Sequence, residues 1–376
     1  MILKKEDILK LVTEYEQDMK LFEVKKKEVA KQRPDWTKGA FNRSDFYRDL
    51  FSDNYVDGFI MDYPHGTVIK QADANWFFRG ERICYPNSQP TFIRSLNEKT
   101  QEEAFILEFV KNTKLIEFKL ILDQFTHFRE FEGMGIKMPN GYQRLSILLS
   151  NIAQHYGFDT NWLDITSDFN AALFFACCTY ENNKWRPLTA KEIYKDEKTK
   201  HGRIFIRKAD FMTNSRIDGK YMALPVGYQP FMRCHMQYSY GIWMEENMDL
   251  TKEESGFKMI KFEHSEELSQ YIFEKMERGN KIYPQEGLKI IEEELNNLKN
   301  RNSISENIFK LTYDAIELQF SQSKLKKLLK KNGYTVGGEA LTINPIKIKL
   351  VNEFYKDFDI EDSYGIKLSS RLIYRP

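Results

Sequence analysis

The sequence predicts an α+β fold: a mainly antiparallel, split-sheet core flanked by helices, with a long N-terminal helix and a small α+β C-terminal appendage. Three observations carry this. Short strand-like segments (WFFRG, NWLDIT, GRIFIR) are interspersed with helical patterns along the chain. One helical pattern of unusual length occupies residues 4–32. Third, an apolar helix–strand–helix over Leu145–Cys178 holds polar groups that a plain core would exclude.

Taken in order, the N-terminal pattern places Ile8, Leu11, Val12, Tyr15, Met19 and Phe22 on one side, with lysines and glutamates elsewhere, and stops before Pro34. Its heptads do not persist long enough for a coiled coil, so packing on the body of the protein is expected, with homo-oligomerisation through this helix as the alternative. Residues 35–70 are aromatic and turn-rich and specify no element. From Asn75 the chain reads as a strand ending in a charged turn, followed by SQPTFIRSL, a helical pattern from about Glu98 to Phe131, and a loop, GMGIKMPNGY.

In the central stretch, Leu145, Leu148, Leu149, Ile152, Ala153 and Tyr156 share one helical face, and Gly157 stands where a left-handed C-cap would end the helix. The strand NWLDIT follows. Thr166, Ser167 or Asp168 can then cap a second helix, whose body, AALFFACC, is apolar all round and so expected to be buried. Residues 182–201 read as a polar surface excursion, and GRIFIR as a strand. Residues 230–243 alternate most clearly of all, which predicts a strand with Phe231, Arg233, His235 and Gln237 on one face. A helix over Ser265–Arg278 stopped by Gly279, the Tyr-Pro segment KIYPQEGL and a helix to about Asn300 come next. Beyond lie a helix near 304–320, a basic one near 323–331 and a strand, ALTINPIKIKL. These features suggest an N-terminal extension over 1–69, a central domain over 70–295 and an appendage over 296–376.

A net charge of only +1 excludes steering to nucleic acid or acidic membrane by a global field. The basic KLKKLLKK (324–331) segregates its leucines and lysines as an amphipathic surface helix does. Cys84, Cys177, Cys178 and Cys234 form no CxxC pair, which argues against a zinc site or disulfides and for reduced thiols. No apolar run reaches membrane-spanning length and residues 1–30 carry no leader-like core, so a cytoplasmic protein without membrane contact is expected. A glycine-rich phosphate loop, a GxSxG elbow and an HExxH helix are all lacking, which disfavours P-loop NTPases, α/β-hydrolases and zincins.

The candidate chemistry sits on three segments. Arg79 follows three large aromatics and precedes Gly80, a context for a bidentate guanidinium beside an approachable backbone, or for an arginine that merely caps a surface turn. Gln154 and His155 lie in the last turn of the central helix, where carbonyls alone could satisfy an imidazole. Asp164 lies inside an apolar strand and needs a partner, for which Arg79 and His155 are the natural candidates. Amides at the start of the following helix could hold an anion where the cap leaves them unused. Arg233, His235 and Gln237 could serve a site or face solvent.

Phe78-Arg79-Gly80, then AQHYG, LDIT and ALFFA, occur in the order and approximate separation of the FRG domain family, which the chain resembles over roughly 70–295. The motif order is also similar, more weakly, to that of ADP-ribosyltransferases. That likeness implies NAD as the bound nucleotide, Arg79 on a first strand holding it with Phe78 and Gly80, Thr166-Ser167 before a helix, and Gln237 on a later strand near the ribose. It implies an enzyme with Arg79, His155, Asp164 and Gln237 as catalytic residues, and Gln154, Arg233 and His235 as further ligand contacts. An acceptor of protein or nucleic acid, and a role as toxin or phage-defence effector, would follow. The alternative is a non-catalytic nucleotide- or nucleic-acid-binding module. Gln237 lacks the charge of the usual glutamate, Asp159 and Asn161 stand where the family carries Pro and Arg, and Gly241 is displaced.

Overall fold

A seven-stranded sheet organises the computed structural model, which describes residues 2–32, 58–63, 66–71, 75–138, 141–181, 183–209, 221–316, 321–358 and 373–374. Its strands are β1 (Ile2–Leu3), β2 (Trp76–Glu81), β3 (Trp162–Thr166), β4 (His201–Lys208), β5 (Ala223–Pro225), β6 (Ser239–Trp243) and β7 (Lys258–Glu263). They lie in the order β1-β7-β4-β2-β3-β6-β5. Only β1 joins parallel; all other neighbours are antiparallel. The helices that matter below are α1 (Lys5–Gln32), α2 (Gln101–Leu122), α3 (Leu149–His155), α4 (Phe169–Cys177), α5 (Met232–Met236), α6 (Glu266–Lys275), α7 (Glu292–Asn300), α8 (Glu306–Ala315), α9 (Gln322–Lys331) and α10 (Pro345–Tyr355).

The sheet is split, as expected. β2 pairs with β4 along its whole length, and β3 with β6 along its whole length, but β2 meets β3 only at Phe78↔Thr166. Past that pair the two halves part.

One face of the sheet carries α4, α6 and α1. The α4 sequence is apolar all round because it is covered on every side: Phe78, Ile204 and Phe262 lie beneath it, and Leu268, Ile272, Ile8 and Val12 pack around it. Tyr15 of α1 stacks on Phe169 at 4.8 Å, so the N-terminal helix packs on the body of the protein. The other face buries Phe77, Leu163, Ile165, Phe205, Tyr240 and Ile242. A second core joins α2, α3, α7 and α10, and a third packs α8 and α9 on α2.

Several local expectations are corrected. The pattern over 98–131 is two helices, α2 and Thr126–Gly133, because the chain turns at Asp123–Phe125. GMGIKMPNGY contributes a hairpin (Gly135–Met138 with Gly141–Arg144), and α3 therefore starts at Leu149, not Leu145. The excursion over 182–201 holds the strand Lys184–Pro187 and the helical turn Ala190–Ile193. Residues 230–243 are not one strand: Met232–Met236 is the helix α5, Gln237 N–H donates to Arg233 O, and Tyr238 takes φ +49° to reverse the chain before β6. The proposed common face of Arg233, His235 and Gln237 therefore does not exist; at helical spacing Arg233 and Gln237 align and His235 does not. ALTINPIKIKL holds a helix, α10, with Asn344 as N-cap and Pro345 at its start. Residues 359–372 and 375–376, at the end of the expected appendage, lie outside the described residues.

Candidate functional site

β2 delivers the first candidate side chain. Phe77 and Phe78 are buried on opposite faces, which anchors the strand and leaves Arg79 at the point where the sheet parts. Its Nη1 donates to the carbonyl of Asp164 at 2.7 Å, a β3 acceptor beyond the single β2–β3 pair. The guanidinium thus bridges the gap the backbone leaves. Its Nε donates to Glu81 Oε1 at 2.9 Å. Glu81 is held in turn by Arg203 Nε at 2.7 Å and the Ser88 hydroxyl at 2.6 Å. Burial opposes the charge on Glu81, but Arg79 and Arg203 beside it outweigh that and keep its carboxyl below the usual range. Gly80 serves packing: a Cβ there would lie 1.7 Å from Ala172 O, so only glycine lets α4 sit this close to β2.

His155 comes from the last turn of α3. Gly157 at φ +79° ends that helix, with Gly157 N–H on Gln154 O and Phe158 N–H on Ala153 O, a Schellman closure that sets the position of the ring. Two outside cations satisfy the remaining carbonyls: Arg233 Nη1 donates to His155 O at 3.1 Å and Lys299 Nζ to Tyr156 O at 2.9 Å.

The imidazole itself is 3 % exposed. Its Nδ1 meets Gln237 Oε1 at 2.9 Å, while Gln237 Nε2 donates to Ile282 O at 2.9 Å. Because the amide nitrogen is committed, the amide oxygen must accept, and the proton of a neutral His155 resides on Nδ1. Nε2 is therefore left facing Asp164 Oδ1 at 3.7 Å, and neither atom has a hydrogen-bond partner.

Arg79, His155, Asp164 and Gln237 all line one cavity of about 230 Å³ at the sheet split, together with Thr166, Ser239 and Phe78. Ser239 Oγ adds a third buried, unpartnered polar atom to its wall. Thr166 donates to Gln237 O at 2.7 Å and accepts from Asp168 N–H, tying the start of α4 to the turn before β6. Asp168 is the N-cap of α4.

The other expected contacts lie elsewhere. Ser167 lines a separate cavity toward α1, with Tyr15 and Glu16. Arg233 is buried behind the site, its guanidinium 3.7 Å from the ring centroid of Tyr283 and 3.3 Å from Glu286, whose Oε1 takes the Tyr156 hydroxyl at 2.8 Å. Burial raises the Glu286 carboxyl against the pull of Arg233. Arg233 thus supports His155 from its carbonyl side. His235 lines neither this cavity nor its neighbour, and Gln154 lines only the neighbour.

That neighbour, of about 380 Å³, shares His155, Asp164, Phe175 and Gln237 with the first cavity and extends between the hairpin Cys178–Pro187 and α7. Its wall residues Tyr180, Trp185 and Tyr283, and the Glu81–Arg203 brace, were not anticipated from sequence. Glu81 sits two places from Arg79 on the same strand face, which was an available signal. Among the described residues no cluster of His, Cys, Asp or Glu could hold a metal ion, and no helix is long and apolar enough to cross a membrane.

Residues 74–184 match the family model of the FRG domain. The matched stretch contains Arg79, His155 and Asp164, while Gln237, Tyr283 and α7 lie beyond it. No curated protein and no solved structure matches the chain.

Proposed function

We propose that the cleft built on this FRG domain binds a nucleotide and acts on its glycosidic bond, with NAD as the candidate substrate and an ADP-ribosyl transfer or NAD hydrolysis as the reaction. The observation that carries this reading is the convergence of Arg79, His155 and Asp164 on one cavity, with His155 Nε2 and Asp164 Oδ1 both unpartnered toward it. The residues fit the substrate. A guanidinium whose Nη2 takes part in neither the bond to Glu81 nor that to the Asp164 carbonyl suits a pyrophosphate oxygen. The unpartnered Nε2, Oδ1 and Ser239 Oγ suit ribose hydroxyls.

In this reading the bond between the nicotinamide nitrogen and ribose C1′ breaks, and its electron pair leaves with the nicotinamide. Asp164 lies where its carboxylate offsets the positive charge that develops on the sugar, an effect of about 10²–10³ in rate for one well-placed group. The attacking water or acceptor group forms the new bond at C1′ and gives its proton to His155 Nε2, adding about 10²–10⁴. Gln237 holds the imidazole in the tautomer that can receive it. The motif order, similar to ADP-ribosyltransferases, supports the assignment by analogy. A chain of this kind would serve as a toxin or phage-defence effector by consuming NAD or modifying a protein or nucleic acid.

A second reading has its own support: Arg79 is already half neutralised by Glu81, which suits a module that binds a nucleotide without turning it over. Nicotinamide release by the purified chain, measured beside thermal stabilisation by NAD and ADP-ribose, separates the two. Release that disappears in Asp164→Ala supports the enzyme. Stabilisation with neither nicotinamide release nor transfer to any macromolecule supports the binding module and rejects the enzyme.

A further inference from the structure

The second chamber has no part in the chemistry just described beyond the residues it shares, yet its lining is specific. Three rings form a continuous wall: Tyr180 lies 5.1 Å from Trp185 and 5.3 Å from Tyr283, and Trp185 lies 6.2 Å from Tyr283, all centroid to centroid. Rings this close pack on one another and leave no slot between them, so they offer a surface to stack on and not a cage to enter. Trp185 is locked from behind, since a Cβ on Gly279 would come within 2.8 Å of it. α7 supplies the polar edge, with Glu292, Asn296 and Lys299 lining the same chamber.

Charge selects among occupants. A cationic group is disfavoured: Arg233 lies 3.7 Å from the centroid of Tyr283, and Lys299 contributes a second cation. A phosphate is disfavoured as well, because Glu292 stands within 3.4 Å of the Tyr180 hydroxyl and 3.5 Å of the Tyr283 hydroxyl, and burial lowers the charge-holding power of Lys299. What remains is a neutral flat ring with donors and acceptors along its rim, which an asparagine side chain, a carboxylate and an ammonium can read at their different positions.

We propose that this chamber is a nucleobase subsite, in which a base stacks on Tyr180, Trp185 and Tyr283 and presents its edge to Glu292, Asn296 and Lys299. The proposal rests on the reading above only in taking His155 and Asp164, which both cavities share, as the place where the sugar of that base or of its neighbour is held.

The test uses the purified full chain and the four ribonucleosides, which carry no phosphate, with intrinsic tryptophan fluorescence as the readout and Trp185→Phe to identify the reporting ring. At least one nucleoside is expected to quench saturably. Tyr180→Ala should weaken it roughly tenfold to a hundredfold, and Asn296→Ala by a smaller factor that differs among the bases. No saturable binding by any nucleoside, or equal affinity in Tyr180→Ala as a folded protein, overturns the proposal.

A short single-stranded oligonucleotide run in parallel locates the source. Binding tighter than the nucleoside assigns the base to a strand, and binding no tighter assigns it to a mononucleotide or to NAD; both require the subsite. Nicotinamide release on the same samples keeps the two ideas apart. Nucleoside binding without release sinks the enzyme reading and leaves the subsite. Release with a KM for NAD unchanged in Tyr180→Ala, and no nucleoside binding, does the reverse.

Discussion

Adjacent residues of one motif should fail in different ways when each is replaced by alanine. At Gly80 the new Cβ would stand 1.7 Å from Ala172 O, a backbone atom in the middle of α4, and that gap must open to at least 3.0 Å. No rotamer relieves such a clash, so the helix or the strand has to move through a core in which Phe174, Ala172 and Phe78 are all but fully buried. Overpacking of this kind costs about 3 kcal/mol. At about 2 °C per kcal/mol for a chain of this size, Gly80→Ala should melt roughly 6 °C below the parent. Arg79→Ala is the opposite case. Glu81 keeps Arg203 and Ser88, so the loss should be about 1 kcal/mol, while stabilisation by NAD or ADP-ribose disappears. Thermal unfolding by circular dichroism, with and without nucleotide, reads both effects. A Gly80→Ala protein that melts within about 1 °C of the parent would refute the claim that glycine is there for helix approach.

Three further outcomes can be checked. Gln237→Ala releases the His155 ring from its fixed tautomer, so nicotinamide release should fall about ten- to a hundredfold with little change in KM, and an unaltered turnover would rule out the positioning role. His264 is buried and its imidazole is pushed down from 6.5 to about 4, chiefly by burial, with the charges of His201 and Arg82 adding to that against the opposing hydrogen bond to the Arg82 carbonyl. Its folded value lies below the unfolded one, so stability present above pH 6.5 is lost as the pH falls toward 4, by about 3 kcal/mol; urea midpoints should fall less steeply over that range in His264→Gln, and parallel slopes would exclude it. Ile8 of α1 is fully buried against α4 and α6, so Ile8→Ala should lose about 2–4 kcal/mol in urea unfolding, whereas a neutral result would mean that α1 is not part of this core.

Local signals were legible where they agreed with the tertiary context. The end of α3 could be read from Gly157, the start of α4 from the run Thr166, Ser167 and Asp168, of which Asp168 is the cap, and the start of α6 from Ser265, because caps act over three or four residues. The polar residues in apolar company at His155 and Asp164 likewise marked the cavity. Alternation misled at Met232–Met236, where Phe231 and Cys234, three apart and both buried, share one side of a helix but would fall on opposite faces of a strand. It misled again in IKIKL, although Asn344-Pro345 ahead of it is a helix start. Tyr180, Trp185, Glu292 and Lys299 were out of reach, since only the fold brings the hairpin and α7 to the same cavity.

A cationic side chain, not a ladder of amides, stitches β2 to β3 beyond Phe78 and Thr166. An anion strong enough to draw that guanidinium toward itself would undo the stitch, so loading the cleft should loosen the sheet at its middle seam while tightening everything around the ligand. Hydrogen–deuterium exchange would register this as faster labelling along Leu163–Ile165 in the loaded protein, a local cost set against a global gain in melting temperature.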